Sequence, residues 1–156
     1  MADDWPETAW SDVGGRLVPG GHVLPIRIYF EDTDFSGLVY HANYLRFMER
    51  GRSDLLRSLG IGHEELAKGV YGEPVIFAVR RIEIDYLRPA KIDDLIEVRT
   101  RPAEMRGVRL IMRQTITKGD EVLVEATVTV ITLSPEGRVR RLPDAVSERF
   151  AAAQPG

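Results

Sequence analysis

The stretch from Tyr29 to Met48, YFEDTDFSGLVYHANYLRFM, decides how this chain is organised. It follows a short apolar strand that ends near Phe30, passes through an acidic turn and leads into an amphipathic helix. The turn carries two carboxylates, Asp32 and Asp34, close to the predicted beginning of the helix. Because the first turn of a helix has N–H groups without intrahelical partners, a carboxylate there lies beside donors that can receive a developing oxyanion. The pattern indicates a site suited to acyl chemistry.

The helix after the turn is predicted from apolar residues that recur at three- and four-residue steps. These residues are Tyr44, Met48, Gly51, Leu55 and Leu59. We expect Asn43 to be the N-cap and Gly60 to mark the end of the helix. Glycine inside a helix costs about 1 kcal/mol relative to alanine. We therefore expect another element to pack closely against Gly51.

Alternating apolar and polar residues predict five strands, one before the helix and four after Pro74. They are expected at Val23–Phe30, Val75–Leu87, Leu95–Arg101, Val108–Thr117 and Val122–Leu133. A second short helix is predicted at about 62–68, and another near the end of the chain. One long helix with five antiparallel strands predicts an α+β fold, in which the sheet wraps around the helix and buries its apolar stripe.

A length of 156 residues predicts one domain. We expect a flexible extension over residues 1–21, because they are rich in glycine and proline, although Trp5 and Trp10 lie within them. Residues 22–150 are predicted to form the single folded domain, and residues 151–156 a C-terminal tail.

Composition excludes several classes of function. A net charge of −3 argues against nucleic acid as a partner, because no broad basic field is present to bind phosphates. The absence of cysteine excludes disulfides, thiol catalysis and zinc–thiolate sites. No apolar run approaches membrane-spanning length and no signal peptide is evident, so we expect a cytoplasmic protein with at most peripheral membrane contact.

The core of the opening stretch, D-T-D-x-x-G-x-V-Y-H-x-N-Y, resembles the signature of the 4-hydroxybenzoyl-CoA thioesterase family of hot-dog-fold proteins. It is most similar to the Tol-Pal-associated acyl-CoA thioesterase branch, and the similarity runs in order from Leu24 to Leu142. The resemblance implies a five-stranded antiparallel sheet around one long helix, and hydrolysis of an acyl-CoA thioester to a carboxylate and free CoA. It implies no cofactor beyond the CoA of the substrate. It also implies a homodimer or homotetramer whose sites lie at the subunit interface.

Asp34 matches the aspartate that family members use as nucleophile or general base, so the resemblance implies that it is the catalytic acid. The sequence leaves these two roles open. The resemblance also places a backbone N–H near His41 on the thioester carbonyl, and the His41 side chain could orient substrate or assist proton transfer. Asp32 is expected to be structural, because the turn separates it from Asp34.

Four further residues are expected to bind substrate. Gly37 would let the backbone approach the ligand, Tyr40 and Asn43 surround the beginning of the helix, and Arg88 would meet the CoA phosphates. A metal site is not expected, because no further His or Cys completes a familiar ligand set with His41 and the two aspartates.

Four alternatives compete with this interpretation. Glu49 is the rival for the catalytic acid, because another thioesterase branch of this fold has its glutamate on the central helix. The chain could instead bind acyl-CoA or acyl-carrier protein without hydrolysis, although a pure binder has no need of Asp34. It could also be an interaction protein of the cell envelope or of lipid synthesis, and a hydratase is a weaker choice.

Overall fold

The computed structural model describes residues 7, 9 and 13–153 of the chain. Six strands and three α-helices follow one another in this part: β1 Arg16–Val18, β2 Gly21–Arg27, α1 Asn43–Ser58, α2 His63–Lys68, β3 Ile76–Tyr86, β4 Leu95–Arg106, β5 Arg109–Lys118, β6 Glu121–Leu133 and α3 Asp144–Ala153. A short 3₁₀ turn, Phe30–Asp32, lies between β2 and α1. None of the helices in these ranges is long and apolar enough to cross a membrane.

The strands form one antiparallel sheet in the order β1-β2-β4-β5-β6-β3. The α+β prediction is confirmed, but the sheet has six strands instead of five. The additional strand is β1, which lies within the predicted extension over residues 1–21. Its three residues are all exposed, so they carry no alternation of apolar and polar side chains that could reveal a strand.

Helix α1 lies against one face of the sheet and buries the stripe predicted for it. Its buried residues are Tyr44, Phe47, Met48, Gly51, Asp54, Leu55 and Leu56. A Cβ at Gly51 would lie 2.8 Å from the side chain of Val98 on β4. The expectation of close packing against Gly51 is therefore confirmed. Gly60 follows the helix with φ +77°, a conformation that favours glycine at a helix end.

A buried amide fixes the rotation of α1 on the sheet. Gln114 of β5 donates to the carbonyl oxygen of Met48 and to the hydroxyl of Thr100, both over 2.9 Å. Its side-chain oxygen accepts a hydrogen bond from the guanidinium of Arg52 at 2.8 Å. Because a buried amide is costly unless its groups are satisfied, these bonds favour a single orientation of the helix.

A second buried polar cluster attaches the first strands to α1. The Asp54 carboxylate accepts hydrogen bonds from the Gly15 N–H at 2.7 Å and from Arg57 at 3.1 Å. It also lies 2.8 Å from Nε2 of the fully buried His22. The residues just before β1 are thus bonded to the helix.

Several boundaries differ from those expected, among them the end of β4, which lies at Arg106 instead of Arg101. The strand predicted to end near Phe30 ends at Arg27. The N-cap of α1 is Ala42, without a side-chain cap, because the amide of Asn43 bonds elsewhere. Helix α3 continues to Ala153, and its Phe150 is fully buried with its ring 6.4 Å from that of Phe77. Trp5 and Trp10 lie outside the described residues.

The two edges of the sheet are unequal. At one edge β1 has three residues, and at the other β3 has eleven. Strand β3 pairs with β6 on one side, with a register shift between Val79 and Arg81. Its other side has no strand partner within the described residues.

Candidate active site

The segment between the 3₁₀ turn and α1 forms a tight hairpin that presents Asp34. Thr33 and Val39 form an antiparallel bridge, and the Asp34 N–H donates to the carbonyl oxygen of Leu38 at 2.9 Å. The chain reverses at Gly37, which has φ +83° and donates its N–H to the carbonyl oxygen of Asp34 at 3.0 Å. This conformation favours glycine, so Gly37 has a clear structural role in shaping the turn.

Ser36 holds the Asp34 carboxylate in its ionised form. One carboxylate oxygen accepts both the Ser36 N–H at 2.8 Å and the Ser36 hydroxyl at 2.5 Å. These hydrogen bonds, that of the hydroxyl first, lower the pKa of Asp34. Desolvation opposes them, and the nearby His41 adds a smaller lowering effect. The other carboxylate oxygen has no hydrogen-bond partner among the described residues. Asp34 is thus an oriented, charged carboxylate with one oxygen available.

The hairpin is anchored to the core through a chain of hydrogen bonds. The Val39 N–H donates to the carbonyl oxygen of Ala90 at 2.9 Å. The Ala90 N–H in turn donates to the hydroxyl oxygen of Tyr44 at 2.9 Å, and both residues are buried. Burial raises the pKa of the Tyr44 hydroxyl, so it is neutral at physiological pH. A buried tyrosine of α1 therefore fixes the segment that carries Asp34.

Asp32 and Asn43 close the base of the hairpin. The Asp32 carboxylate accepts the Tyr29 N–H at 2.8 Å, which gives it the structural role expected for it. Its carbonyl oxygen accepts the Asn43 amide at 2.8 Å and the Tyr40 N–H at 3.0 Å. The amide nitrogen of Asn43 is thus engaged by the loop, and its contact with substrate stays a prediction.

Unpartnered backbone donors lie at the beginning of α1. Among the described residues, the N–H groups of His41 and Ala42 have no hydrogen-bond acceptor. The His41 ring packs against those of Tyr40 and Tyr86, with centroids 4.7 and 6.0 Å apart, and the Tyr86 hydroxyl donates to the His41 carbonyl oxygen at 3.2 Å. These contacts hold the backbone of His41 in place beside the helix N-terminus.

These groups meet in one open cleft of about 280 Å³. It is lined by Asp34, Ser36, Leu38, Val39, His41, Tyr44, Tyr86, Leu87, Arg88 and Pro89. The structure thus brings together Asp34, His41 and Arg88, which the sequence predicts for the site. In the free protein Arg88 forms an exposed ion pair with Glu121 at 2.7 Å, so its guanidinium lies at the rim of the cleft.

Ser36, Tyr44 and Tyr86 are the residues of the cleft that sequence reasoning missed as functional. Ser36 has a local signal, because a serine two residues after an aspartate is typical of a side-chain-bonded turn. Tyr44 was assigned only to the helix stripe and Tyr86 only to a strand. Their contacts with Ala90 and His41 join residues about 45 positions apart, and no local pattern predicts them.

Glu49, the rival for the catalytic acid, does not line the Asp34 cleft. It faces a separate cavity of about 100 Å³ between α1 and the sheet, together with Arg52, Ser53 and His63. The two carboxylates therefore belong to different surfaces of one chain.

The comparisons with known proteins define the class of protein. Residues 36–129 match the family model of the thioesterase superfamily. The chain belongs to this superfamily, and its sheet around a central helix is the hot-dog fold implied by the D-T-D segment. The family predicted from the sequence is therefore confirmed.

Two individual relatives show which members of the superfamily the chain resembles. The chain is 38% identical over 128 residues to the acyl-CoA thioester hydrolase YbgC of Escherichia coli O6:H1. The aligned region covers 81% of this chain and 92% of that protein. The crystal structure of a probable thioesterase from Bartonella henselae aligns with a TM-score of 0.76 at 48% identity, over 79% of this chain and 99% of the other. The YbgC similarity agrees with the branch expected from the sequence.

A further structural relative carries ligands. A thioesterase from Thermus thermophilus, complexed with coenzyme A and zinc, has a TM-score of 0.70 at 29% identity, over 85% of this chain and 92% of the other. Within residues 7, 9 and 13–153 of the present chain, no group of three or more histidine, aspartate or glutamate side chains is arranged to hold a metal ion.

Proposed function

We propose that this chain hydrolyses acyl-CoA thioesters to a carboxylate and free CoA, with Asp34 as the catalytic residue. The observation that carries the proposal is an ionised carboxylate with a free oxygen in the same cleft as His41, which lies two residues before α1. The YbgC and Thermus relatives support the substrate class, because their names specify acyl-CoA hydrolysis and bound CoA. A thioester is reactive enough for one carboxylate and an oxyanion site to suffice.

In the proposed reaction, the thioester carbonyl oxygen accepts the N–H of His41. The free oxygen of Asp34 attacks the carbonyl carbon, and the tetrahedral intermediate expels CoA as a thiolate, which takes up a proton from solvent. Water then attacks the resulting mixed anhydride, which releases the acyl group as a carboxylate and restores Asp34. The lowered pKa of Asp34 keeps the carboxylate ionised at neutral pH, as both a nucleophile and a general base require.

The other predicted residues have supporting roles. Gly37 keeps the hairpin tight so that substrate can approach Asp34, and the Tyr40 ring orients His41. Asn43 acts through the loop, and contact with substrate would require its amide to leave Asp32. Arg88 would exchange Glu121 for a phosphate of CoA. No metal or other cofactor takes part in this route.

We also propose that the active unit is a dimer joined through β3. Its free edge offers a row of backbone donors and acceptors to a second β3 in antiparallel orientation. Asp34 is exposed in the single chain, whereas hydrolysis by a carboxylate benefits from a site closed to bulk water. A partner subunit would provide the missing wall.

The test measures thiol release from short-chain, long-chain and aromatic acyl-CoAs. The Asp34→Asn variant should be slower by about 10²- to 10⁴-fold, the usual contribution of a positioned acid–base group. Asp32→Asn is the matched control, because an asparagine oxygen can still accept the Tyr29 N–H, and it should retain most activity. Activity should also survive dialysis against EDTA.

Two results would change the proposed function or the proposed catalytic residue. If the wild type binds acyl-CoA but releases no thiol, the chain is a binding protein. If Asp34→Asn is as fast as the wild type, Glu49 becomes the next candidate. A single turnover in H₂¹⁸O can reveal the nucleophilic role of Asp34, because incorporation of ¹⁸O into Asp34 requires an anhydride. Water attack on the acyl carbon of the anhydride leaves Asp34 unlabelled, whereas attack on its aspartyl carbon labels Asp34, and only an anhydride yields that label.

A further inference from the structure

The face of the sheet that points away from α1 carries an open groove of about 630 Å³ across β2, β4 and β5. Its polar lining consists mainly of Arg99, Arg101, Arg113, Thr115 and Thr117. The arginines alternate along β4 and β5 with Thr100 and Gln114, whose side chains meet beneath α1. No residue that lines this groove also lines the Asp34 cleft. The groove is therefore a separate feature, and its volume is in the range of small-molecule sites.

The three arginines of the groove form a compact triangle. Arg101 and Arg113 are directly opposite each other on β4 and β5. Opposite residues of an antiparallel pair have Cβ atoms about 5 Å apart. Arg99 lies two residues earlier on β4, about 7 Å along the strand and on the same face. Three long guanidinium side chains that start so close together can converge on one anion.

The free chain leaves most of this positive charge unbalanced. Arg101 and Arg113 are exposed, and neither has an ion-pair partner among the described residues. Like charges in opposite positions destabilise a sheet. Arg99 donates from Nε and Nη2 to one oxygen of Glu97, at 3.3 and 3.1 Å, so its Nη1 is still available. A bound anion would convert an unfavourable cluster of donors into a favourable contact.

Thr117 adds an unsatisfied polar group at the floor of the groove. This residue is 5% exposed, and its buried hydroxyl has no hydrogen-bond partner within the described part of the chain. Thr117 is the cross-strand partner of Glu97, which lies on the same face as Arg99. Because buried hydroxyls are normally hydrogen-bonded, the missing partner is expected from a ligand oxygen or from a water bound with the ligand.

The two sides of the arginine triangle differ in chemistry. On the β6 side, Glu125 is the partner of Thr115 and would repel an anion. On the β2 side, the groove is lined by Val18 and Val23. Gly21 leaves space between them, since a Cβ there would lie only 2.5 Å from the carbonyl oxygen of Thr100. A ligand with its anionic end on the arginines would thus extend over the two valines.

We propose that this groove binds a phosphorylated small molecule of about nucleotide size. The phosphate lies on Arg99, Arg101 and Arg113, and the remainder of the ligand covers Val18 and Val23. A phosphate matches the site better than a carboxylate does, because its higher charge balances two unpaired guanidinium groups and its oxygens accept their forked donors. The site lies on the face of the sheet opposite α1 and does not depend on the proposed hydrolysis.

Calorimetric titration of the full chain at low ionic strength tests this site, with ADP and pyrophosphate as probes. The wild type should bind both, and ADP more tightly. Arg101→Gln with Arg113→Gln should weaken binding by about 10²-fold, since each lost hydrogen bond to a charged group corresponds to roughly tenfold. Without a probe, this variant should have a higher Tm than the wild type, because the repulsion between the two arginines is gone.

The matched control is Arg106→Gln with Arg109→Gln. These arginines are also directly opposite each other on β4 and β5, but they lie at the tip of the hairpin and outside the groove. The control should bind both probes like the wild type. A third variant, Val23→Ser, tests the apolar side, and it should lose the advantage of ADP over pyrophosphate while pyrophosphate binds as before.

The proposal is overturned if neither probe binds, if the control loses as much affinity as the groove variant, or if Val23→Ser keeps the full preference for ADP. Binding to phosphatidylglycerol vesicles without binding of the soluble probes would also overturn it, in favour of a membrane surface. Thiol release should be unchanged in Arg101→Gln with Arg113→Gln. A fall in kcat/KM would mean that the groove holds the CoA phosphates, and a separate site would then be refuted. A wild type that binds ADP here but releases no thiol supports the groove and refutes only the proposed hydrolysis.

Discussion

Replacement of Tyr44 by phenylalanine should destabilise the protein through a single backbone group. The Tyr44 hydroxyl accepts the N–H of Ala90, and both residues are at most 3% exposed. Phenylalanine fills nearly the same volume, so the main change is a buried N–H without an acceptor. Such a group costs about 1–3 kcal/mol. For a domain of this length, that corresponds to a loss of roughly 2–12 °C in Tm.

The free energy of unfolding can be measured by urea titration with Tyr40→Phe as the control, since the exposed Tyr40 hydroxyl has no partner among the described residues. Hydrogen exchange should also accelerate at Val39, whose N–H bonds to the carbonyl oxygen of Ala90. If Tyr44→Phe is as stable as the control and Val39 exchanges as before, water or a shifted backbone satisfies Ala90. The hydroxyl then does not hold the hairpin.

Three further predictions concern the hairpin and the helix. Ser36→Ala removes the largest cause of the lowered pKa of Asp34, so this pKa should rise. On acidification, the ionised form of Asp34 and with it kcat/KM should then be lost at a higher pH than in the wild type. An unchanged acid limb of the pH profile would contradict this. Gly51→Ala should lower the free energy of unfolding by up to about 2 kcal/mol, because overpacking against Val98 outweighs the gain in helix propensity. In the same urea titration, the double variant Gly51→Ala with Val98→Ala should recover most of the lost free energy. Gly37→Ala has free space around its new methyl group but φ +83°, so it should cost about 1 kcal/mol from the backbone alone; a calorimetric loss well above this would indicate a steric clash.

Periodicity of apolar residues was sufficient to predict the helix and the long strands. The stripe from Tyr44 to Leu59 and the alternation in β6 follow directly from burial on one face, and burial is what these patterns record. The close packing at Gly51 could be predicted for a similar reason, because a glycine inside a helix lowers helix stability relative to alanine. The resemblance of the D-T-D segment added the fold family and the candidate catalytic residue.

Residues whose partners are distant in the sequence could not be predicted in this way. Asn43 has the composition of an N-cap, but its amide meets the carbonyl oxygen of Asp32 because the hairpin folds back on the helix. Strand β1 exists because Gly15 bonds to Asp54 and because β2 offers it an edge, and neither cause is visible in its three exposed residues. The roles of Tyr44 and Tyr86 likewise depend on tertiary contacts.

The unequal edges of the sheet limit how far chains can add to one another. A sheet with two long free edges can extend indefinitely into a fibre, because every added chain exposes a new edge. Here β3 offers eleven residues, whereas β1 offers three at the opposite edge, close to Pro19 and the bonded Gly15. Strand addition at β3 consumes the long edge of both chains and leaves only the short ones. Growth by this route therefore stops at two copies, which protects a chain rich in β-structure against aggregation.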